Sequence, residues 1–367
     1  MKLEDNNAKV RVLIVDDSAF MRTALSRMIA YDPDISVVGT AASGIEALER
    51  IERLDPDVIT LDVQMPGLDG LGTLRRIMAE FPRPVIMVSS VTMKDAETTF
   101  TALGAGAFDY VPKQLSSTSL DILHIRDDLI AKIKAAAESQ RSKNHLALQT
   151  QRKPPRAVDP PKRKVSPPPP AIVAVGISTG GPKALQEILP LLPPDLPVPI
   201  VVVQHMPPGF TAPFSKRLNA LCAVSIREAM QGETVEPGVV YIAPAGLHIT
   251  VERPGNSHTV VCISHEPGNQ LHTPSVDLMM QSVASAFHSQ AMGIIMTGMG
   301  ADGAQGMSAI HREGGFTLGQ DEASCAVYGM PRVCAEMGIL DRVVPLSQIP
   351  REILQATGYR KSERESG

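Results

Sequence analysis

Nowhere does the 367-residue chain string together the roughly 18 apolar residues that a membrane-crossing helix requires. Its first ten residues, Met1 to Val10, are polar and charged, so no secretory signal is expected. Positive charge is not in excess either. The 35 Lys and Arg stand against 39 Asp and Glu, a formal net charge of -4, and no nucleic-acid surface is expected. Cysteine is scarce and scattered, at Cys222, Cys262, Cys325 and Cys334, with no C-x-x-C pair. That argues against a zinc site and predicts reduced, mostly buried thiols in a cytoplasmic protein. What remains is ordinary globular composition, 43% hydrophobic and 20% charged, at a length that allows two or three domains.

The composition breaks from about Arg141 to Pro170. This stretch carries Lys153, Pro154, Pro155, Arg156, Pro160, Pro161, Lys162, Arg163 and Lys164, then Pro167 to Pro170, with no aromatic and few aliphatic residues. Such a segment cannot bury enough surface to fold, and its prolines favour extended polyproline II. As a flexible chain it would span roughly 30 Å, and more when stiffened by proline. It reads as a solvated hinge between two domains, whose basic residues could also touch an acidic partner. The expected division is 9–130, 131–170 (a helix extension and the linker) and 171–360.

Before the hinge, short apolar runs near 12–15, 36–41, 58–63, 85–89 and 108–111 alternate with segments of helical periodicity. Five βα units predict a parallel sheet covered on both faces. After the hinge, apolar strands recur at 172–175, 199–203, 239–242, 260–263 and 293–297, again α/β but with more loops.

In a doubly wound sheet, ligands sit beyond the carboxyl ends of the strands. Asp16 and Asp17 follow the first strand, Asp62 ends the third, Ser89 the fourth, and Lys113 follows the fifth. Clustered carboxylates repel one another, which favours a bound divalent cation, and Mg2+ prefers oxygen ligands. With Lys113 it would stabilise a phosphoryl group passing to an aspartate. Each residue alone is weak evidence, since a strand-end aspartate is often a helix cap. Their coincidence at successive strand ends is what carries weight.

With its strings LIVDDS, LDVQMPGLDG, VIMVSS and FDYVPK, the stretch from Arg11 to about Leu129 resembles the receiver domains of two-component response regulators. The resemblance implies a flavodoxin-like fold with Asp62 as phospho-acceptor. It implies Mg2+ on Asp16, Asp17 and Asp62, phosphoryl binding by Ser89 and Lys113, and a switch role for Tyr110. Tyr110 reads nearly as well as a half-buried strand residue.

The second domain opens on AIVAVGISTGGPKAL, a strand, a tight glycine turn and a helix. Ser178 is the centre of a G-x-S-x-G, a turn that exposes a nucleophilic hydroxyl beside a helix N-terminus. That N-terminus offers N–H groups to an oxyanion. Glycine-rich turns also cradle dinucleotide phosphates. Here Ser178 occupies the second glycine position of G-x-G-x-x-G, and no Walker lysine follows. His205 follows the strand VVVQ and is the candidate base. Asp302 lies in MTGMGADGA after another apolar strand and is the candidate orienting carboxylate, or alternatively a helix cap. His248, His265, His272 and His288 read as surface or structural.

The strings GISTGGP, VVVQHMPPGFT, YIAPAGLHI, PSVDLMMQSVA and MTGMGADGA resemble the catalytic domain of the protein-glutamate methylesterases of bacterial chemotaxis. The resemblance covers residues 171–358. It implies a doubly wound, mainly parallel α/β hydrolase-type domain with Ser178 as nucleophile, His205 as base then acid, and Asp302 orienting it. Met299 N–H is the implied oxyanion donor, with Thr179 assisting. Also implied are hydrolysis of glutamate γ-methyl esters on chemoreceptors with release of methanol, deamidation of glutamines, and phosphorylation by a chemotaxis histidine kinase. No metal is expected for the ester step. In the expected mode of control the unphosphorylated receiver covers the Ser178 rim, and a few kcal/mol from phosphorylated Asp62 uncovers it. The competing expectation is a response regulator whose output domain is not catalytic and binds a receptor or nucleic acid.

Overall fold

The computed structural model describes residues 9–90, 92–113, 119–149, 168–253, 258–268 and 270–360. The chain divides into two compact units, Met1–Pro155 and Arg156–Gly367. No helix among the described residues is long and apolar enough to cross a membrane.

The first unit alternates β1 (Val10–Val15), α1 (Ala19–Ile29), β2 (Ile35–Ala41), α2 (Gly44–Leu54), β3 (Val58–Asp62), α3 (Gly70–Glu80), β4 (Val85–Ser89), α4 (Met93–Gly104), β5 (Asp109–Pro112) and α5 (Ser119–Gln149). Four helix starts are written into the sequence. Ser18, Ser43, Asp69 and Thr92 accept a first-turn N–H at the starts of α1, α2, α3 and α4. The strands pair in the order β2-β1-β3-β4-β5, all parallel. Val12, Ile14, Ile86 and Val88 of the sheet pack with Leu25 and Ile29 of α1 and Leu129 and Ile133 of α5. Strand order reverses between β1 and β3, which opens the crevice where a doubly wound sheet binds its ligand.

The first residues of the expected hinge are helical. Residues 141–149 continue α5, and 150–167 lie outside the described residues.

The second unit contains β6 (Ile172–Ile177), α6 (Gly181–Ile188), β7 (Ile200–Gln204), α7 (Thr211–Leu221), β8 (Ser225–Glu228), β9 (Val239–Ile242), β10 (His248–Glu252), β11 (Val260–Ser264), α8 (Val276–Phe287), β12 (Ala291–Ile295), α9 (Ala304–Arg312), β13 (Phe316–Gln320), α10 (Met330–Glu336), β14 (Arg342–Val344) and α11 (Ile349–Ala356). Seven of these strands form one parallel sheet, ordered β14-β13-β12-β6-β7-β9-β8. The chain builds outward from β6 through β7 to β9 and β8, then crosses to β12 and builds the other way, so its switch lies between β6 and β12. The strand expected over 260–263 is not in this sheet. It is β11, antiparallel to β10. The core gathers Ile172, Ala174, Val201 and Val203 with Met279, Met280, Val283 and Met307 of α8 and α9.

The thiols are less buried than expected: Cys334 is buried, while Cys222, Cys262 and Cys325 are half-buried.

Phe214 of α7 is 0% exposed. Truncating it to alanine is expected to lower the stability of this unit by about 3–5 kcal/mol, the usual cost of a large buried cavity. Urea unfolding measures this, and an unchanged midpoint would contradict the packing described.

Candidate active sites

At the β1/β3 crevice Asp16 and Asp62 are buried and Asp17 is exposed, with carboxylate oxygens within 4.8 Å of one another. Lys113 reaches both buried acids, at 2.9 Å from Asp16 Oδ2 and 2.6 Å from Asp62 Oδ2. Those two oxygens make no further hydrogen bond. The opposite oxygens are taken by the backbone: Asp16 Oδ1 accepts from Ser18 N–H at 2.9 Å and Asp62 Oδ1 from Gln64 N–H at 3.1 Å. An oxygen-only donor set with buried, under-hydrogen-bonded carboxylates fits a small hard cation such as Mg2+. Burial pushes the Asp62 carboxyl up to about 6, with the Asp16 charge adding and Lys113 opposing. A cavity of about 570 Å³ opens above it, lined by Asp17, Asp62, Gln64, Lys94, Asp95 and Lys113.

Ser89 ends β4 at 0% exposure. Its hydroxyl donates to Ser90 O at 3.1 Å and accepts from Thr99 Oγ1 of α4 at 2.7 Å, so its hydrogen bonds go to its own strand end and to α4 rather than to the acids. Tyr110 is buried, not half-buried, at 2% exposure, edge-on to Phe100 at 6.0 Å. Lys132 Nζ donates to its carbonyl at 2.7 Å. Gln64, two residues past Asp62, reaches Asp95 at the start of α4, which also accepts from Thr92 Oγ1 at 2.6 Å. No local pattern signals that bridge, because it joins two distant loops.

The second site lies at the β6/β12 switch. Ser178 follows β6, His205 follows β7, and Asp302 sits in the loop after β12. The turn after Ser178 passes through Gly180 at φ 76°, the left-handed conformation that a side chain disfavours, and α6 starts there. Ser178 N–H donates to Thr297 O at 3.0 Å, and His205 N–H to Ile177 O at 3.1 Å. Nucleophile and base candidates are therefore laced to neighbouring strand ends.

His205 Nε2 is 2.8 Å from Asp302 Oδ2. Its Nδ1 is buried without a hydrogen-bond partner, and no hydrogen bond joins the ring to the Ser178 hydroxyl. The ring thus spends Nε2 on the carboxylate and keeps Nδ1 for a proton from elsewhere. Asp302 is also held by the N-terminus of α8. Val276 N–H donates to Oδ2 at 2.8 Å, and Asp277 N–H and Ser275 Oγ donate to Oδ1 at 2.9 and 3.1 Å. Burial alone would raise its pKa. The His205 hydrogen bond and charge, with the Asp277 and Val276 N–H groups, instead hold it at about 2. Asp302 is thus both things the sequence allowed, a partner of the imidazole and a cap on a helix.

Met299 is half-buried on the same loop, and its N–H donates to no acceptor among the described residues. Thr179 is 6% exposed, and its carbonyl accepts from Thr297 Oγ1 at 2.9 Å. Two of the discounted histidines belong to the surroundings of this site. The His272 ring stacks on His205 with centroids 4.3 Å apart and planes at 19°. His248 is 1% exposed and accepts from Ser275 N–H at 3.2 Å, one step behind Asp302. The remaining two stay peripheral: His265 is exposed, and exposed His288 pairs with Glu313 at 2.8 Å. The signal for His272 was its place just ahead of PSVD, which becomes the N-terminus of α8.

A doubly wound unit bearing an acid cluster, followed by a second bearing a Ser-His-Asp rim, defines a response regulator with a hydrolase output. The description "Response regulator receiver domain" matches residues 12–123, and "CheB methylesterase" matches residues 173–353. The Nitratidesulfovibrio vulgaris protein-glutamate methylesterase/protein-glutamine glutaminase 2 is 44% identical over 94% of this chain and 98% of its own. Its Geobacter sulfurreducens counterpart 1 is 43% identical over 97% and 100%. The crystal structure of the Thermotoga maritima CheB methylesterase catalytic domain covers 51% of this chain and 98% of that one, at 38% identity and a TM-score of 0.49. The chain belongs to the protein-glutamate methylesterase/protein-glutamine glutaminase family. This favours the catalytic reading over an output domain that merely binds.

A group whose folded pKa lies below its unfolded value stabilises the fold at higher pH and loses that contribution as pH falls. For Asp302 the window runs from 3.8 down to about 2. The contribution is about 2 kcal/mol. Urea unfolding of wild type and Asp302→Asn is expected to differ by a constant amount above about pH 5, a gap that shrinks below pH 4. A gap independent of pH would contradict the ionised carboxylate.

Proposed function

We propose that this protein removes methyl groups from glutamate γ-methyl esters on chemoreceptors, deamidates receptor glutamines, and is activated by phosphorylation of Asp62. The observation that carries this reading is the His205–Asp302 pair at 2.8 Å beside the Ser178 turn. The near full-length identity to curated methylesterases supports the substrate.

Ser178 Oγ attacks the ester carbonyl, and its proton passes to His205 Nδ1. Asp302 stabilises the charge of the imidazolium through Nε2. The oxyanion is taken by Met299 N–H, with Thr179 assisting. Collapse expels methanol, which receives the proton from His205 and leaves an acyl-serine. Water, deprotonated by the same imidazole, frees the glutamate and restores Ser178. On glutamine the leaving group is ammonia. No metal takes part in these steps.

In the receiver, Asp16, Asp17 and Asp62 would hold Mg2+, which when bound supplies positive charge for the phosphoryl oxygens. Asp62 accepts the phosphoryl group from a chemotaxis histidine kinase, Lys113 binds its oxygens, and Ser89 joins it once its hydroxyl leaves Ser90 O for the phosphoryl group. Tyr110 is the switch aromatic. The protein works in the cytoplasm, on the cytoplasmic helices of its receptors, without nucleic acid.

Methanol release from methylated receptor membranes tests this directly. Ser178→Ala is expected to lose several orders of magnitude in kcat while remaining folded. Retained turnover in that variant would remove the nucleophile.

Asp62→Asn is expected to keep basal hydrolysis and lose stimulation by a small-molecule phosphodonor. Stimulation that survives this change would move control away from Asp62.

A further inference from the structure

Main-chain pairing between β6 and β7 ends with His205 N–H on Ile177 O. Beyond it the side chain of Gln204, the last residue of β7, takes over. Its Nε2 donates to Ser178 O at 3.0 Å and to His205 O at 2.9 Å, which uses both hydrogens. Gln204 is 1% exposed, and its Oε1 is buried without a hydrogen-bond partner. That oxygen rests over Gly181, where a Cβ would lie only 2.0 Å away.

The lacing continues on the far side of the serine. Ser178 N–H donates to Thr297 O, and Thr297 N–H donates to Gln320 Oε1 at 2.9 Å. Gln320 Nε2 donates to Ser324 O at 2.9 Å. Two buried glutamines, each closing its strand, thus extend lateral hydrogen bonding past the end of the sheet, from β7 to β13.

We propose that Gln204 is a positioning residue for hydrolysis, clamping the Ser178 and His205 peptides to one amide. This rests on the reading of Ser178 as nucleophile and His205 as base. The argument is one of cost. A leucine would fill the same space without bringing an orphaned side-chain oxygen of its own into the core, and such orphaned groups call for an explanation. What a leucine lacks is a pair of donors set to hold two carbonyls. Those carbonyls belong to the residues whose side chains must meet in near-attack geometry, where displacements on the order of 1 Å are costly.

The test uses full-length Gln204→Leu and the isosteric Gln204→Glu, neither of which can donate to both carbonyls. Both are expected to lose roughly 10- to 100-fold in kcat for methanol release, with KM within about twofold. Labelling of Ser178 by a serine-directed fluorophosphonate should slow by the same factor. Folded variants whose kcat and labelling match wild type would overturn the proposal. If neither variant folds, proton exchange of the Gln204 side-chain amide in the wild type decides. Protection of both Nε2 hydrogens supports the clamp, and exchange at the rate of a free amide overturns it. A wild type whose Ser178 resists the phosphonate would instead sink the hydrolase reading on which the proposal rests.

Discussion

The hydrolase unit turns on one carboxylate seated on a helix end. Asp302 accepts from the Val276 and Asp277 N–H groups and from Ser275 Oγ, which are the first groups of α8, before it meets His205. Helix N-termini present unsatisfied donors and a partial positive charge, which add to His205 in keeping this buried anion ionised. The imidazole is oriented by a group that is already fixed. The loop after β12 is fixed as well, because its aspartate is tied to the helix that leads into β12. Ser275 serves twice, capping α8 through Leu278 N–H and donating to Asp302.

The two units use the same topological opportunity with opposite electrostatics. Each places its chemistry where strand order reverses, beyond the carboxyl ends of parallel strands. At β1/β3 the buried acids share one lysine, and burial wins, so Asp62 is pushed up to about 6. At β6/β12 the donors win, and Asp302 is held at about 2. The first arrangement leaves negative charge unsatisfied and open to a cation and a phosphoryl group. The second neutralises its charge internally and exports only an orientation.

How much of this was legible depended on distance along the chain. The receiver strands lie within two residues of where apolar runs placed them, because fully buried parallel strands are continuous hydrophobic stretches. Ser178 was visible because its strand, turn and helix are contiguous. His205 was visible because it follows an apolar run, and Asp302 because it sits in the glycine-rich loop after one. β8, β13 and β14 were not: SIRE, FTLGQ and RVV are short and mix polar residues into strands completed by neighbours. Gln204 was hidden by its neighbour, since QH reads as a polar strand end until the fold brings Ser178 alongside. The stacking of His272 on His205 and the His248–Ser275 contact join residues separated by tens of positions, and no local pattern encodes them.

Gly298 shows how little tolerance the rim has. A side chain there would come within 2.3 Å of Met330 Sδ and 2.7 Å of Ser178 Cβ. The floor beneath the serine is therefore a bare main chain, wedged between the serine and α10. Whatever sequence change this loop accumulates, it must route around that contact. The Ser178 side chain inherits its place in space from a neighbour that has no side chain at all.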